Sequence, residues 1–350
     1  LKCVAKVDVF FYLFNIFAEK YMQKVKIAGI GNALVDVLVH LPNDDVLHEA
    51  GLPRGGMQLV DDARREVLAR LLQPLNPSKS AGGSAGNTVK SLAALGADST
   101  FIGKVGQDED ARLLSEAFRR TGAQTRFLTS PLHTGVASTF ISPSGERTFG
   151  TCLGAASTLQ AEEISEELLQ DVQWLHIEGY LVQDHALIER IGQLARQMGV
   201  TTSMDLASYN VLAEDVSFAR HLVSDYVDVV FANEDESRVF TGGKSPMEAL
   251  REMAGMCRMA IVKMGAQGSA ARSGDREVSI GARCVPVVDT TGAGDFFAAG
   301  FLYAHTQGGS MEQSLRCGAA LGEQAIQVVG TDLSAEAWRE CREHVSKIMK

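Results

Sequence analysis

The chain has 350 residues, 45% of them hydrophobic and 22% charged, which is enough for one large domain or two moderate ones around a buried core. A formal net charge of −10 excludes a nucleic-acid partner bound through a basic surface, because no cationic excess would offset phosphate repulsion. The 6 cysteines lack paired spacing, which is typical of a reducing compartment and predicts neither a disulfide nor a zinc framework. Cys284 and Cys317 stand among apolar residues and are predicted to be small core residues.

The beginning of the chain differs from the rest. Residues 7–18 (VDVFFYLFNIFA) are apolar but too short for a transmembrane helix. A signal peptide has a similar outline, but no small-x-small cleavage pattern follows. We therefore expect residues 1–24 to be an extension outside the fold, with secretion as the less favoured alternative, and we expect a cytoplasmic protein without membrane contact.

From Val25 onward, short β-rich runs alternate with helical runs. Strands are predicted at 25–30, 99–105, 172–177, 200–206, 227–232 and 259–264, and helices at 85–95, 109–121, 184–198 and 246–256. Several strands are almost entirely apolar, as expected when helices cover both faces of a sheet. The pattern predicts an α/β fold with a mainly parallel central sheet.

Two segments, 34–60 and 124–150, interrupt this alternation with short strands and turns. The second contains turn sequences at Ser130-Pro131 and at Pro143-Ser144-Gly145. We interpret the two segments as a small β lid assembled from separate stretches. Because no flexible linker divides the chain, residues 25–350 are predicted to form one domain with a discontinuous lid.

The most informative motif runs from Val285 to Gly300, where a strand enters a glycine-rich turn and then an apolar helix. Gly292 and Gly294 allow the backbone to approach a ligand and to direct N–H groups at it, and the helix start adds positive potential. The motif predicts an anion pocket. Asp295 beside it could accept the proton of an attacking hydroxyl, although a plain helix cap is the alternative for this residue.

Two other glycine-containing segments resemble nucleotide-binding motifs only superficially. Residues 242–245 (GGKS) resemble the end of a Walker A loop, but Arg238 stands where the first glycine is required and Pro246 follows. The Gly29-x-Gly31 run has Leu34 in place of the third glycine of a dinucleotide fingerprint. Neither a P-loop nor a nicotinamide oxidoreductase is predicted.

The segment DTTGAGDFFAAGF (289–301) resembles the C-terminal signature of the ribokinase/PfkB family of carbohydrate and nucleoside kinases, and GGSAGNT (82–88) resembles its second signature. The resemblance extends from about Val25 to the C-terminus. It implies a three-layer ribokinase-like fold, ATP and Mg²⁺ as cofactors, and a small sugar or nucleoside as acceptor.

The resemblance also implies roles for individual residues. Asp295 resembles the catalytic base, and the anion hole corresponds to the amides of Gly292, Ala293 and Gly294. Asn233 and Glu236 match an N-x-x-E element that helps to place Mg²⁺ and the phosphates, with a polar helix start as the alternative. The segment along the nucleotide corresponds to Lys263, Gly265 and Gly268, for which a plain turn between two strands is the alternative.

The acceptor-binding residues implied by the resemblance lie mainly in the first half of the chain. They are Asn32, Asp36, Gly82, Gly83, Asn87 and Glu178. For Asn87 the alternative is a helix cap. Arg147, on the predicted lid, could reach over the substrate or phosphate, and a solvated turn arginine is its alternative.

The family often carries a monovalent-cation site, and its implied ligands here are Asp289, Thr291, Ala325, Val328, Gly330 and Ser334. Potassium activation is therefore a hypothesis.

GNALVD (31–36) and GERTFGTCLGAA (145–156) are closer to the adenosine-kinase-like branch, with ribose or fructose as the alternative acceptor. A non-catalytic sugar- or nucleotide-binding regulator on the same fold is the alternative function. A homodimer through the lid is a further expectation.

Overall fold

The computed structural model describes residues 24–43, 45–52, 54, 56–143 and 147–350. The extension predicted at residues 1–24 therefore lies outside the described residues except for Lys24, whose Nζ donates a hydrogen bond of 3.0 Å to the carbonyl of Gly96. No helix among these residues is long and apolar enough to cross a membrane.

The described residues form two sheets. The strands are β1 (Lys26–Ile30), β2 (Leu34–His40), β3 (Met57–Leu59), β4 (Ser78–Ala81), β5 (Asp98–Val105), β6 (Gln124–Thr129), β7 (Gly135–Ile141), β8 (Arg147–Cys152), β9 (Trp174–Glu178), β10 (Thr201–Asp205), β11 (Val229–Asn233), β12 (Met259–Lys263), β13 (Ser269–Ser273) and β14 (Arg276–Ile280). The large sheet has the order β14-β13-β12-β11-β10-β9-β1-β5-β6, and the small sheet has the order β3-β8-β7-β2-β4. The large sheet is parallel from β12 to β6, and β13 and β14 continue it antiparallel at one edge.

The α-helices are α1 (Asp45–Ala50), α2 (Asp62–Leu72), α3 (Ser84–Leu95), α4 (Glu109–Thr121), α5 (His185–Gln197), α6 (Tyr209–Glu214), α7 (Val216–Tyr226), α8 (Glu234–Phe240), α9 (Pro246–Ala254), α10 (Ala293–Thr306), α11 (Met311–Ala325) and α12 (Ala335–Ile348). Short 3₁₀ turns lie at Gln73–Leu75, Gly154–Thr158, Ala161–Glu163, Glu166–Leu169, Gly179–Gln183 and Gly265–Gln267. The six strands and four helices that the sequence analysis gave with residue ranges are present, with ends within two residues of the prediction. The strand predicted to enter the glycine-rich turn at Val285 was wrong, because residues 281–292 pair with neither sheet and leave Val287 and Val288 exposed.

Strand β11 shows why the large sheet lies between two layers of helices. Its first four residues are buried, and they alternate between two apolar clusters. Val230 and Ala232 pack in the cluster that contains α5 and α7 side chains. Val229 and Phe231 pack in the opposite cluster with α10 and α11. Since successive side chains of a strand point to opposite faces, a continuously apolar strand buries both faces, and the predicted three-layer α/β fold is confirmed.

Helix α10 is the most apolar of the covering helices, and eight of its residues are buried. Its close approach to α11 depends on Gly300, because a Cβ there would lie 2.8 Å from the carbonyl carbon of Cys317. The tight contact fixes the axis of α10 against the large sheet. The first turn of α10, which carries Asp295, is held in position as a result.

The small sheet corrects one boundary of the predicted lid. Residues 124–129 form β6, which pairs in parallel with β5 in the large sheet and not in the small one. The reason is that α4 lies between β5 and β6 and makes a β-α-β crossover, which returns the chain parallel to the first strand. Conversely, β4 at Ser78–Ala81 belongs to the small sheet, where it pairs antiparallel with β2.

The structure also tests the predictions for two cysteines and for the turn between β7 and β8. Cys284 is exposed, so its assignment to the core was wrong, whereas Cys317 is buried as predicted. Cys284 follows β14 in a segment without regular structure, where no neighbouring element covers it. Strands β7 and β8 pair antiparallel, with Ile141 opposite Arg147, while residues 144–146 of the predicted turn between them lie outside the described residues.

Candidate active site

A cleft with a volume of about 610 Å³ lies between the large sheet and the small sheet. Several of its polar side chains stand at the carboxyl ends of neighbouring parallel strands of the large sheet: Asn32 after β1, Glu178 on β9, Asp205 on β10, Asn233 on β11 and Lys263 on β12. In open α/β sheets, the carboxyl ends of the strands form the usual ligand crevice. The small sheet covers this crevice from the other side.

Asp295 lies in the first turn of α10 and is partly buried against the start of α3. Its Oδ1 accepts a hydrogen bond of 2.7 Å from the Ser84 hydroxyl, and its Oδ2 accepts one of 3.0 Å from Asn87 Nδ2. Burial raises the pKa of Asp295 to about 7, although the bonds from Asn87 and Ser84 act in the opposite direction. The two glycine motifs thus meet at one carboxylate, although Asn87 and Asp295 are 208 positions apart.

Asn87 is not the helix cap that the sequence allowed as an alternative. Helix α3 begins at Ser84 with Gly83 as its N-cap, so Asn87 lies one turn inside the helix and its side chain is free for another role. Its Oδ1 is buried and accepts no hydrogen bond from any described residue. A buried acceptor beside Asp295 suits a hydroxyl-bearing ligand.

The turn before α10, where the sequence predicts an anion pocket, borders the cleft. Gly292 is the N-cap with φ of +72°, and a Cβ at this position would lie 2.6 Å from Thr331 Cγ2, so glycine is required both for conformation and for space. Thr290, Thr291, Gly292 and Gly294 line the cleft. The Ala293 amide lies 3.3 Å from the carbonyl of Thr290. The N–H groups of a first helical turn lack helical acceptors and attract negative charge.

Asp36 lines the part of the cleft formed by the small sheet, and Gly82 and Gly83 lie behind it, outside the cleft lining. Burial raises the pKa of Asp36 to about 6, against the opposing charges of Lys90 and Arg147. A Cβ on Gly82 would overlap the Asp36 carboxylate, and one on Gly83 would overlap the Asn32 carbonyl. The two glycines therefore act by allowing close approach, and Asp36 faces the cleft.

Glu178 is completely buried at the end of β9 and organises the residues around it. Its carboxylate accepts hydrogen bonds from Asn32 Nδ2 at 2.8 Å, from the Asn32 amide at 3.2 Å and from the Ala85 amide at 3.1 Å. Burial raises its pKa, and these bonds oppose that shift. The side chain joins the start of α3 to the loop after β1, in addition to lining the cleft.

The part of the cleft at the ends of β10, β11 and β12 contains more acidic than basic side chains. Lys263 Nζ donates a hydrogen bond of 2.6 Å to Asp205 Oδ2, and Glu236 and Asp295 lie near enough to raise the pKa of Lys263 against the effect of burial. Burial, followed by the charge of Asp205, raises the pKa of Glu236 to about 7. Two buried carboxyl groups, those of Asp205 and Glu236, and the partly buried Asp295 surround one ammonium and favour a further cation, and oxygen ligands suit Mg²⁺.

Asn233 and Glu236 form the polar helix start that the sequence allowed as the alternative, and their role toward Mg²⁺ stays a prediction. They form a capping box at the start of α8, in which Asn233 Oδ1 accepts from the Glu236 amide at 2.9 Å and Glu236 Oε2 accepts from the Asn233 amide at 2.7 Å. Both also line the cleft. By contrast, Gly265 and Gly268 form the tight turn between β12 and β13 and do not line the cleft, whereas Lys263 does.

Arg147 is not a solvated turn arginine. Its side chain is 9% exposed and makes an ion pair with Asp289, whose side chain is 3% exposed. Asp289 also accepts hydrogen bonds from the amides of Thr291 at 2.9 Å and Gly330 at 2.6 Å. The pair joins strand β8 of the small sheet to the segment that precedes α10.

The implied monovalent-cation ligands are only partly assembled. Asp289, Thr291 and Gly330 come together through the hydrogen bonds just described. Ser334 instead caps α12, where its hydroxyl accepts from the Ala337 amide at 3.1 Å, and the Ala325 carbonyl lies 3.4 Å from the Val328 amide. Arg147 thus supplies a positive charge to the Asp289 carboxylate.

Sequence analysis did not select two residues of the site, Ser84 and Asp205. Asp205 ends a predicted strand, so the position of ligand sites at the carboxyl ends of parallel strands could have identified it. Ser84 lies within the motif GGSAGN, but only the fold shows that its hydroxyl faces Asp295. The apolar wall of the cleft was also missed and consists of Leu34, Met57, Leu59, Ala137, Phe149, Leu153 and Tyr180.

An anion-binding helix start, a partly buried carboxylate beside it and an acidic group suited to a cation define a site for phosphoryl transfer to a hydroxyl. The model of the pfkB family carbohydrate kinases matches residues 58–338. A probable sugar kinase of Rhizobium etli has a solved structure with a TM-score of 0.84 at 29% identity, covering 93% of this chain and 100% of that one.

Two further relatives agree with this class. An adenosine kinase of Sinorhizobium meliloti has a solved structure with a TM-score of 0.83 at 30% identity, covering 92% of this chain and 99% of that one. An uncharacterized sugar kinase of Archaeoglobus fulgidus is 28% identical over 250 residues, which is 68% of this chain and 95% of the relative. The chain belongs to the pfkB family of carbohydrate kinases, as its two motifs predicted. It is a phosphotransferase that acts on a hydroxyl group of a sugar or nucleoside.

Proposed function

We propose that this kinase transfers the γ-phosphate of ATP to the primary hydroxyl of a purine nucleoside, with adenosine as the preferred acceptor and Asp295 as the general base. The observation that carries the proposal is the position of Asp295. Its partly buried carboxylate faces the cleft directly beside the glycine-rich helix start, and its pKa of about 7 matches the pH at which a base has to work.

In the proposed reaction, the acceptor hydroxyl oxygen attacks the γ-phosphorus and the bond to ADP breaks. Asp295 takes the hydroxyl proton, while the amides at positions 292–294 stabilise the charge on the transferring phosphoryl group. Ser84 and Asn87 hold the Asp295 carboxylate in one orientation through their hydrogen bonds. The small sheet would exclude water, which otherwise competes with the acceptor.

A nucleoside fits the two faces of the cleft better than a free sugar does. Asn32 and Asp36 line the cleft and provide polar groups for ribose hydroxyls. The small sheet also carries Phe149 and Met57 in the cleft lining, and their side chains suit the flat apolar faces of a base. The likeness to an adenosine kinase supports the same acceptor. Ribose or fructose is the alternative and would leave this apolar wall without a partner.

Mg²⁺ supplies charge neutralisation at the phosphates when it is bound, and Asp205 and Glu236 are the residues that would hold it here, directly or through water. Lys263 would contact the phosphates from the other side. Potassium activation stays a prediction, which activity in buffers of potassium and of choline chloride would decide.

The experiment that tests the proposal measures ADP formation with Mg-ATP against adenosine, inosine, ribose and fructose. We expect adenosine-dependent turnover with the highest kcat/KM of the panel. A higher kcat/KM for ribose or fructose would overturn the nucleoside assignment while leaving the kinase class intact.

Asp295→Asn tests the base. It should lower kcat by about two to four orders of magnitude, the usual range for a lost general base, with little change in the KM of the acceptor. Asp36→Asn is the matched carboxylate variant, and it should mainly raise the KM of the acceptor because Asp36 binds substrate without accepting its proton. Near-normal kcat in Asp295→Asn would show that another group is the base.

A further inference from the structure

Three side chains with metal-binding atoms converge outside the cleft, on three separate elements. They are Asp62 in the first turn of α2, His133 in the loop between β6 and β7, and Cys152 at the end of β8. Asp62 Oδ1 lies 2.5 Å from His133 Nε2 and 3.4 Å from Cys152 Sγ, and Cys152 Sγ lies 3.8 Å from His133 Nε2. We refer to these residues as the Asp-His-Cys cluster.

The imidazole ring of His133 is held so that Nε2 faces the cluster. Its Nδ1 lies 2.7 Å from the carbonyl of Thr134, to which it can donate its proton. Thr134 is itself fixed by hydrogen bonds of 2.7 Å from its amide and hydroxyl to Asp108. Metal-binding histidines characteristically donate the second ring N–H to a carbonyl or carboxylate in this way.

Gly154 adds a steric constraint on the same ring. It has φ of +48°, and a Cβ at this position would lie 2.7 Å from both Cε1 and Nδ1 of His133. The glycine therefore allows the chain after β8 to pass directly against the imidazole. The ring position is determined by two backbone segments, and this preorganisation favours a ligand site.

The arrangement differs from a nucleophilic triad. In a triad, the carboxylate contacts the ring nitrogen that faces away from the nucleophile. Here Asp62 and Cys152 both face Nε2, and Nδ1 is directed at the Thr134 carbonyl. Three donors that converge on one point are what a metal ion requires.

The separations are close to those of a tetrahedral zinc site. Zinc bonds of about 2.0–2.3 Å give separations between ligand atoms of about 3.3–3.7 Å. Of the two sulfur contacts, the one of 3.4 Å lies within this range and the one of 3.8 Å lies about 0.1 Å above it. Only the contact between Asp62 and His133 must widen, by about 0.8 Å. The Asp62 side chain is 62% exposed and can rotate to do so.

We propose that Asp62, His133 and Cys152 bind a divalent transition metal of the zinc class, with water completing the coordination. Thiolate, imidazole and carboxylate together select zinc or cobalt over magnesium or calcium. Binding releases the thiol proton of Cys152, so affinity rises with pH. The charge of Arg65 acts on Asp62 and Cys152 and opposes a cation, which limits the affinity.

The site would join the two sheets at the edge of the cleft. His133 lies on the connection from β6 of the large sheet to β7 of the small sheet, and Leu153, which follows Cys152, lines the cleft. A metal there would stabilise the position of the small sheet. This proposal does not depend on which acceptor the kinase uses.

Cobalt titration of the chelator-treated protein tests the proposal. One equivalent of Co²⁺ should produce visible d–d bands and a near-ultraviolet thiolate-to-cobalt charge-transfer band. Cys152→Ser should lose the charge-transfer band. Cys284→Ser is the matched control and should keep it, because Cys284 is exposed and stands outside the cluster. Absence of the band in the unmodified chain, or its persistence in Cys152→Ser, would overturn the proposal.

Asp62→Asn provides a second measurement that does not alter the buried cysteine. The side chain is exposed, so the variant should fold, and circular dichroism checks that it does. Zn²⁺ should raise the Tm of the unmodified chain and raise that of Asp62→Asn by less than half as much. Equal shifts in the two proteins would contradict a site that includes Asp62.

Discussion

Asp295 is held in a position where its two protonation states have different consequences. Burial raises the pKa of this carboxyl because desolvation disfavours the charged form. The ionised form is the one that can accept a proton from the acceptor hydroxyl. Catalysis therefore requires the ionised carboxylate of Asp295, whereas folding stability favours its protonated form.

The pH profile should show this requirement. Below a pH of about 7, Asp295 is protonated and cannot act as base, so kcat/KM for the acceptor should fall tenfold per pH unit. Above that pH the profile should be flat. Steady-state kinetics at saturating Mg-ATP checks this, with Asp295→Asn as the control that should lack the slope. A slope that persists in the variant would assign the titration to another group.

The Asp295→Asn substitution is expected to lower activity, but it should increase the folding stability relative to the unmodified chain as the pH rises. A carboxyl with a folded-state pKa above its unfolded value loses stabilising free energy as the pH rises from the unfolded pKa to the folded pKa. Asp295→Asn removes that loss. Urea unfolding should therefore show the variant gaining stability relative to the unmodified chain between pH 5 and about pH 7, the folded-state value. A constant difference over this range would contradict the raised pKa.

The start of α10 is an element in which two neighbouring glycines have different tasks. Gly292 has a left-handed conformation and is in close contact with Thr331. Gly294 is helical, and among the described residues a Cβ there would approach only the end of the Lys263 side chain, at 3.1 Å. A methyl group at position 292 therefore distorts the turn. At position 294 it only narrows the phosphate side of the cleft.

The matched pair Gly292→Ala and Gly294→Ala separates fold from binding. Gly292→Ala should lose at least about 1 kcal/mol of unfolding free energy, from the positive φ alone, together with most activity. Gly294→Ala should keep its stability within about 0.5 kcal/mol and raise the KM of ATP several-fold. Urea unfolding and initial-rate kinetics measure the two effects. Equal loss of stability in both variants would contradict the proposed difference between the left-handed Gly292 and the helical Gly294.

A buried ion pair links the small sheet to the segment before α10. Arg147 comes from the small sheet and Asp289 from the segment before α10, and neither side chain is more than 9% exposed. A buried pair of this kind is costly to break on one side only, because the remaining charge is left without its partner. The position of the small sheet against this segment, and therefore the shape of the cleft, depends on it.

A double-mutant cycle with Arg147→Gln and Asp289→Asn tests this role at the level of the molecule. Each single variant should lose about 3 kcal/mol of unfolding free energy, and the double variant should lose less than the sum. The exposed pair between Arg316 and Glu312 is the control, with an expected coupling energy below about 1 kcal/mol. Additive losses at Arg147 and Asp289 would contradict a stabilising link between the small sheet and the segment before α10.

The sequence by itself determined the order of strands and helices and the family of the protein. Apolar periodicity and glycine spacing are local properties, so they predict elements such as β11 and the glycine turn before Asp295 without any knowledge of distant contacts. The same locality explains the errors. Nothing near residues 124–129 shows that this strand joins the large sheet, since strand pairing is a choice among distant partners.

Only the tertiary structure decided which side chains meet. The contact of Ser84 with Asp295, the position of Asp205 beside Lys263 and the pairing of Arg147 with Asp289 all join residues far apart in the chain. The Asp-His-Cys cluster has no spacing motif for the same reason, because each of its ligands belongs to a different element. Sequence patterns record the conformation of each segment, whereas a site is created when packing brings the ends of several segments together.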